Sequence, residues 1–172
     1  MLLSPIAVVS AAALARGLFM GYPDKAVPEG RLTRKEQAII TACADAFFPA
    51  GGRIPVSGTE ARLVLYMERY VSRLPPGQAR LVRLLFWFIE HGPWVFGPTR
   101  HRFSDLSLEG RIAVLESMRT SPIYFRRIAF LSMRTMLTMG YLADPRVARA
   151  MRMKANQDPF AIAVETPTEA RP

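Results

Sequence analysis

The sequence predicts an all-α fold: a compact bundle of about six helices with an extended apolar N-terminal arm. Three observations lead there. Apolar residues recur at helical spacing in segment after segment, with capping signals ahead of them. No stretch shows sustained strand alternation between hairpin turns, and no long-period repeat is evident. A chain of 172 residues, 50% of them hydrophobic, is long enough to bury one real core. The expected organisation is an apolar arm and linker over residues 1–31, a helical domain over 32–155 and a weakly structured tail over 156–172.

The arm is apolar from Met1 to Ala15, too short to span a bilayer as a helix. Its alanines resemble a signal-peptide core, but the first basic residue, Arg16, follows the apolar stretch instead of preceding it. No twin-arginine signal lies near the start. Pro23, Pro28 and Gly30 mark a linker. Thr33-Arg34-Lys35-Glu36 reads as a capping box, in which hydroxyl and carboxylate satisfy opposite free amides at a helix start. The helix it opens runs to about Phe48, with Ile39, Cys43 and Phe47 as its buried stripe. Cys43 on that stripe is a small core residue, not a nucleophile, for nothing local would activate its thiol.

Ser57-Gly58-Thr59-Glu60 reads as a second capping box, ahead of Leu63, Met67, Tyr70 and Leu74 at helical spacing. Glu60, Arg62, Glu68, Arg69 and Arg73 are expected on the exposed face of that helix. The third helix starts near Pro76 and carries six consecutive large apolar residues, Leu84 to Ile89. Such a run predicts a helix around which the others pack, with one face available to a partner. Gly92-Pro93 and Gly97-Pro98 are expected to break it at His91 and to hold Trp94, Val95 and Phe96 in a projecting loop. Glu90 and His91 are adjacent and point about 100° apart on a helix, so they do not read as a cooperating acid–base pair. His91 is expected to interact with the helix C-terminus. Ser107 opens a helix to about Arg119, with Ile112, Leu115 and Met118 inward. Ser121-Pro122 is expected to cap the longest helix, which runs to about Leu142 with Ile128, Leu131, Leu137 and Tyr141 among core methionines. Asp144-Pro145 starts a last short helix to about Met151.

The chemistry expected of this chain is sparse. There is no dinucleotide fingerprint, no phosphate-binding loop, no haem attachment sequence and no diiron pair. The lone Cys43 excludes an internal disulfide, and His91 and His101 are the only histidines. No catalytic, cofactor-binding or metal-binding residue is therefore assigned. The balance of 23 Lys+Arg against 14 Asp+Glu leaves a net charge of +9, which favours acidic partners. Lysine appears only at Lys25, Lys35 and Lys154, so arginine carries nearly all of the positive charge, as suits interfaces. The arginines are spread over many helices without a recognition motif, so nucleic acid is not the expected partner.

Three short blocks carry a family resemblance. Leu32-Thr33-Arg34-Lys35-Glu36, followed by Cys43-Ala44-Asp45-Ala46-Phe47-Phe48-Pro49, resembles the opening of the gluconate 2-dehydrogenase small-subunit family. Glu90-His91-Gly92-Pro93, with Phe96-Gly97-Pro98 and Phe103, resembles a helical region attached to glucose–methanol–choline-type flavin oxidoreductases and to the front of long-chain alcohol oxidases. Gly140-Tyr141-Leu142-Ala143-Asp144-Pro145-Arg146-Val147 is similar to that family's end. The resemblance covers about Leu32 to Met151. The family's Gly-rich ending is replaced here by Met151-Arg152-Met153-Lys154.

The resemblance implies a helical accessory subunit that binds a separate flavoprotein and helps it mature. In some members the subunit also carries the export signal of its partner. FAD and the catalytic residues would belong to the large subunit, and no cofactor is expected in this chain. The expected function is thus a non-catalytic subunit of a flavin-dependent alcohol, sugar or sterol dehydrogenase. Trp94, Phe96, Arg100, Arg102 and Phe103 are the residues expected to touch the partner, because aromatics and arginine dominate interface energetics. The alternative is a peripheral membrane-surface protein that uses the apolar arm and the arginines.

Overall fold

The computed structural model describes residues 21–97 and 101–151. Arm residues 1–20, Arg100 and the tail lie outside the described residues. Among the described residues six helices form: α1 (Arg34–Phe47), α2 (Leu63–Arg73), α3 (Pro76–Phe96), α4 (Leu108–Arg119), α5 (Tyr124–Leu142) and α6 (Pro145–Ala150). A single 3₁₀ turn, Phe103–Asp105, lies between α3 and α4, and the described residues contain no strand.

The helix at the centre is α1 and not, as expected, α3. It touches α2, α3, α4 and α5. Glu36 to Ile40 and Ala42 to Ala44 are all buried. Small side chains explain this: Ala38, Ala42, Cys43 and Ala44 let neighbours close in from several sides, while Ile39 and Ile40 fill the space between them. The Thr33–Glu36 capping box forms with both reciprocal bonds. Cys43 is fully buried, and desolvation pushes its thiol far above the ordinary range, so it is a packing residue.

The linker before α1 is stitched to the bundle. Val27 and the Gln37 side chain exchange two hydrogen bonds of 3.0 Å each. Glu68, expected on a wet face, is instead buried and accepts from the backbone amides of Arg31 and Leu32. It satisfies donors that have no helix of their own, which is why a carboxylate can stay inside.

Two turn signals act differently from expectation. Ser57 and Glu60 do form the reciprocal bonds of a capping box, at 2.7 and 3.2 Å. They close one turn only. Arg62 then takes a left-handed backbone (φ 53°), and α2 begins at Leu63. Ser121 does not cap α5. Its hydroxyl accepts from the Ile123 amide two residues on, and α5 starts at Tyr124. Helix α6 begins as expected, with the Asp144 carboxylate accepting from the Arg146 amide.

Helix α3 continues through Gly92-Pro93 to Phe96. Pro93 removes one backbone donor, which would stop an isolated helix. Here Pro93 itself is buried, as are Phe86, Ile89, Glu90 and His91 on the same side, so tertiary packing holds the helix across the proline. No projecting loop forms at Trp94–Phe96.

Candidate functional site

The residues flagged around Glu90 and Arg102 gather into a buried polar hub between α1, α3 and the 3₁₀ turn. Glu90 is fully buried. Its carboxylate accepts from the Tyr22 hydroxyl at 2.9 Å, the Ser104 amide at 3.1 Å and the Ser104 hydroxyl at 2.6 Å. Arg102 is only 8% exposed. Its guanidinium donates to Asp105 from Nε at 2.6 Å and from Nη2 at 3.0 Å, and it lies over the Tyr22 ring at 4.4 Å. Burial and the Glu90 charge raise the Tyr22 hydroxyl above its ordinary value, so it stays a donor.

His91 lies next to the hub and has no role at the helix C-terminus, because α3 runs on beyond it. Its Nε2 is 2.8 Å from Lys35 Nζ. Burial first, then the positive charges of Lys35 and Arg102, lower the imidazole to about 4, so it is neutral at pH 7. A neutral ring can accept from the ammonium, which a protonated ring could not. Desolvation lowers Lys35 as well. The hub is therefore an internally paired structure that ties the linker, α1, α3 and the 3₁₀ turn together. Its carboxylate already accepts from three of the chain's own donors. A small cavity of about 170 Å³ lies beside it, lined by Tyr22, Thr41, Asp45, Ser104 and Arg111 among others. The described residues contain no group of three His, Cys, Asp or Glu that could hold a metal ion.

This geometry corrects two of the expected partner contacts. Phe103 is fully buried in the core, so its ring has no surface to offer. Arg102 is turned inward onto Tyr22 and Asp105. Arg100 lies outside the described residues. Trp94 is 36% exposed and Phe96 is 43% exposed, both on the last turns of α3.

Phe96 leads to the second site. It lies at one end of a long groove of about 990 Å³ between α3 and α5. On the α3 wall stand Leu81, Leu84 (60% exposed) and Trp87 (49% exposed). On the α5 wall stand Phe125 (74% exposed), Ile128, Leu131 and Met139. Half-buried Leu85 and Phe88, with buried Ala129 and Met136, make the floor. Ser132 and Thr135 bring hydroxyls, and Tyr70 a phenol, to an otherwise apolar lining. So the apolar run of α3 splits between two faces. Phe86 and Ile89 are fully buried, while Leu84 and Trp87 face solvent. Ile128 and Leu131, expected in the core, line the groove too.

The Leu84–Ile89 run is the part of the groove that the sequence offers to a partner; the α5 wall is not expected there, though a signal exists. Helix α5 carries apolar residues on two stripes: Ala129, Phe130, Met133 and Leu137 are buried, and Phe125, Ile128, Leu131 and Met139 are exposed. A helix at the edge of a bundle needs only one apolar stripe, so the second is surplus. The charges agree. Helix α5 has no acidic residue, and the single acid of α3 is Glu90, buried on the opposite face. The exposed charges on these two helices are arginines, including Arg80 on α3 and Arg127 and Arg134 on α5. Comparison with protein-family models, curated proteins and solved structures finds no match to this chain.

Proposed function

We propose that this chain is a non-catalytic accessory subunit. It binds and helps to mature a separate flavin-dependent alcohol, sugar or sterol dehydrogenase of glucose–methanol–choline type. The observation that carries the reading is the groove between α3 and α5. Leu84, Trp87 and Phe125 expose contiguous apolar surface that a monomer gains nothing by displaying, and patches of this kind mark interaction sites. Aromatic and arginine side chains are enriched where binding energy concentrates, and both are present here. The polar hub supports the same reading from the other side, since its carboxylate and guanidinium are committed to internal partners. The motif resemblance of Leu32–Pro49 and Glu90–Phe103 is what points to a flavoprotein as that partner. FAD and the catalytic groups are placed on that partner.

Co-purification tests this. An affinity-tagged copy expressed in its native host is expected to elute with a second protein that carries flavin absorbance. Recovery of the chain alone, under gentle conditions and at native expression, would reject the reading.

A further inference from the structure

We infer that the α3/α5 groove receives an amphipathic helix of the flavoprotein, its apolar stripe flanked by acidic side chains. The inference rests on the accessory-subunit reading and specifies how the partner is held.

The shape argues for a helix. The walls run from Leu81 to Phe96 on α3 and from Ile123, just ahead of α5, to Met139 on it. At the helical rise, about 16 residues span roughly 24 Å, the length of a helix of four or five turns. Both walls are helices whose backbone groups bond internally, so there is no strand edge here for an extended peptide to join. Recognition has to come from side chains, and a helix presents them at i, i+3, i+4 and i+7 to a groove of this form. A small molecule is a poorer occupant. A small-molecule site encloses most of its ligand's surface, whereas this groove stands open along its length.

Charge selects the flanks. Arg80 stands one helical turn before Leu84, and Arg127 and Arg134 stand one turn either side of Leu131, which sets these three positions beside the apolar walls; the Arg127 guanidinium also donates to the Ser121 and Pro122 carbonyls and lies over the Tyr124 ring. Arg126 lies over the Phe96 ring at 5.1 Å, at the end of the groove. Among the described residues no carboxylate lines the groove. A second copy of this chain would set arginine against arginine, which disfavours self-pairing through this face. An acidic flank on the incoming helix complements the rim.

Two synthetic helical peptides of about 18 residues test this. They share one apolar stripe, and one has Glu flanks where the other has Lys. The full-length protein, in a Trp94→Phe background, reports binding through Trp87 fluorescence. The Glu-flanked peptide is expected to bind at least about tenfold tighter than its Lys counterpart, with the preference fading as salt rises. Leu84→Ser with Phe125→Ser is expected to abolish binding of either peptide. Arg127→Glu with Arg134→Glu is expected to erase or reverse the preference. Equal binding of both peptides overturns the inference. So does a Trp87 response to anionic phosphatidylglycerol vesicles but not to either peptide, or concentration-dependent self-association that the Leu84→Ser/Phe125→Ser pair removes. The native complex separates the two readings. If a flavoprotein co-elutes and Leu84→Ser/Phe125→Ser leaves that unchanged, the accessory-subunit reading stands and this inference fails. If no flavoprotein co-elutes, the accessory-subunit reading fails whatever the peptides do.

Discussion

At the scale of single residues, the polar hub sets how the fold responds to acid. His91 is held neutral by burial and by the charges of Lys35 and Arg102, with a folded value of about 4 against an ordinary 6.5. Between those values the unfolded chain binds a proton that the folded chain does not. Stability therefore rises with pH through the window and is lost as pH falls from about 6.5 toward 4. The full effect is on the order of 1–3 kcal/mol, allowing for screening. Urea unfolding between about pH 7 and pH 5, above the range of ordinary carboxylates, is expected to show falling midpoints. His91→Asn is expected to flatten that slope, and an unchanged slope in the variant would remove His91 as its source. Glu90 makes a sharper case. Its carboxylate accepts from three donors, Tyr22 Oη, Ser104 N and Ser104 Oγ. Glu90→Leu keeps much of the volume but removes both acceptor oxygens, so the Ser104 amide is left without its partner inside the protein. The expected cost is about 1–3 kcal/mol, read as a lowered melting temperature.

At the scale of elements, close approach matters as much as pattern. Helices α2 and α5 meet where Gly140 faces the Tyr66 ring, and a methyl at Gly140 would come within 2.5 Å of that ring. Alanine is the better helix former by about 1 kcal/mol, so an open site would gain stability from Gly140→Ala. Here the ring must move, taking with it a stack on Tyr70 at 6.2 Å. The expected result is a net loss of about 1–3 kcal/mol, checked by thermal unfolding; a gain would mean the ring swings aside freely. The same level of structure explains what could be read in advance. The all-α class, the Thr33–Glu36 cap and the Ile39–Cys43–Phe47 stripe are local patterns, and the structure has them. The end of α3 was misplaced because Pro93 is a local stop signal that burial overrides. The start of α2 was misplaced because the Ser57–Glu60 box is genuine but Arg62 turns left-handed after it. Phe103 and Arg102 looked like docking residues because aromatic and basic types suit interfaces. Arg102 is turned inward by Tyr22, far back in the chain, and by Asp105 three residues on, and Phe103 follows it into the core; neither placement leaves a periodic trace.

At the scale of the whole molecule, α3 divides its apolar residues between two faces. One face supplies Phe86, Ile89 and Glu90 to the interior, and the other supplies Leu81, Leu84 and Trp87 to the groove. The division yields a prediction in which neighbouring substitutions have opposite signatures. Phe86 is fully buried, so Phe86→Ala removes a large aromatic and leaves a cavity that the packed helices fill only in part. A loss of about 3–5 kcal/mol is expected, enough to unfold a marginal domain or lower its melting point steeply. Leu84 lies two residues away and is 60% exposed, so Leu84→Ser gives up little that folding had gained. Its expected effect on stability is within about 0.5 kcal/mol. The order reverses for association. An apolar-sensitive dye is expected to bind the folded wild-type protein through the open groove. Leu84→Ser combined with Phe125→Ser is expected to lose most of that signal without a change in melting temperature. Phe86→Ala is expected to raise the signal instead, because a loosened core admits dye as well. If Leu84→Ser/Phe125→Ser lowered the melting temperature as far as Phe86→Ala does, the exposed face of α3 would belong to the core and the proposal that the groove docks a partner would fall.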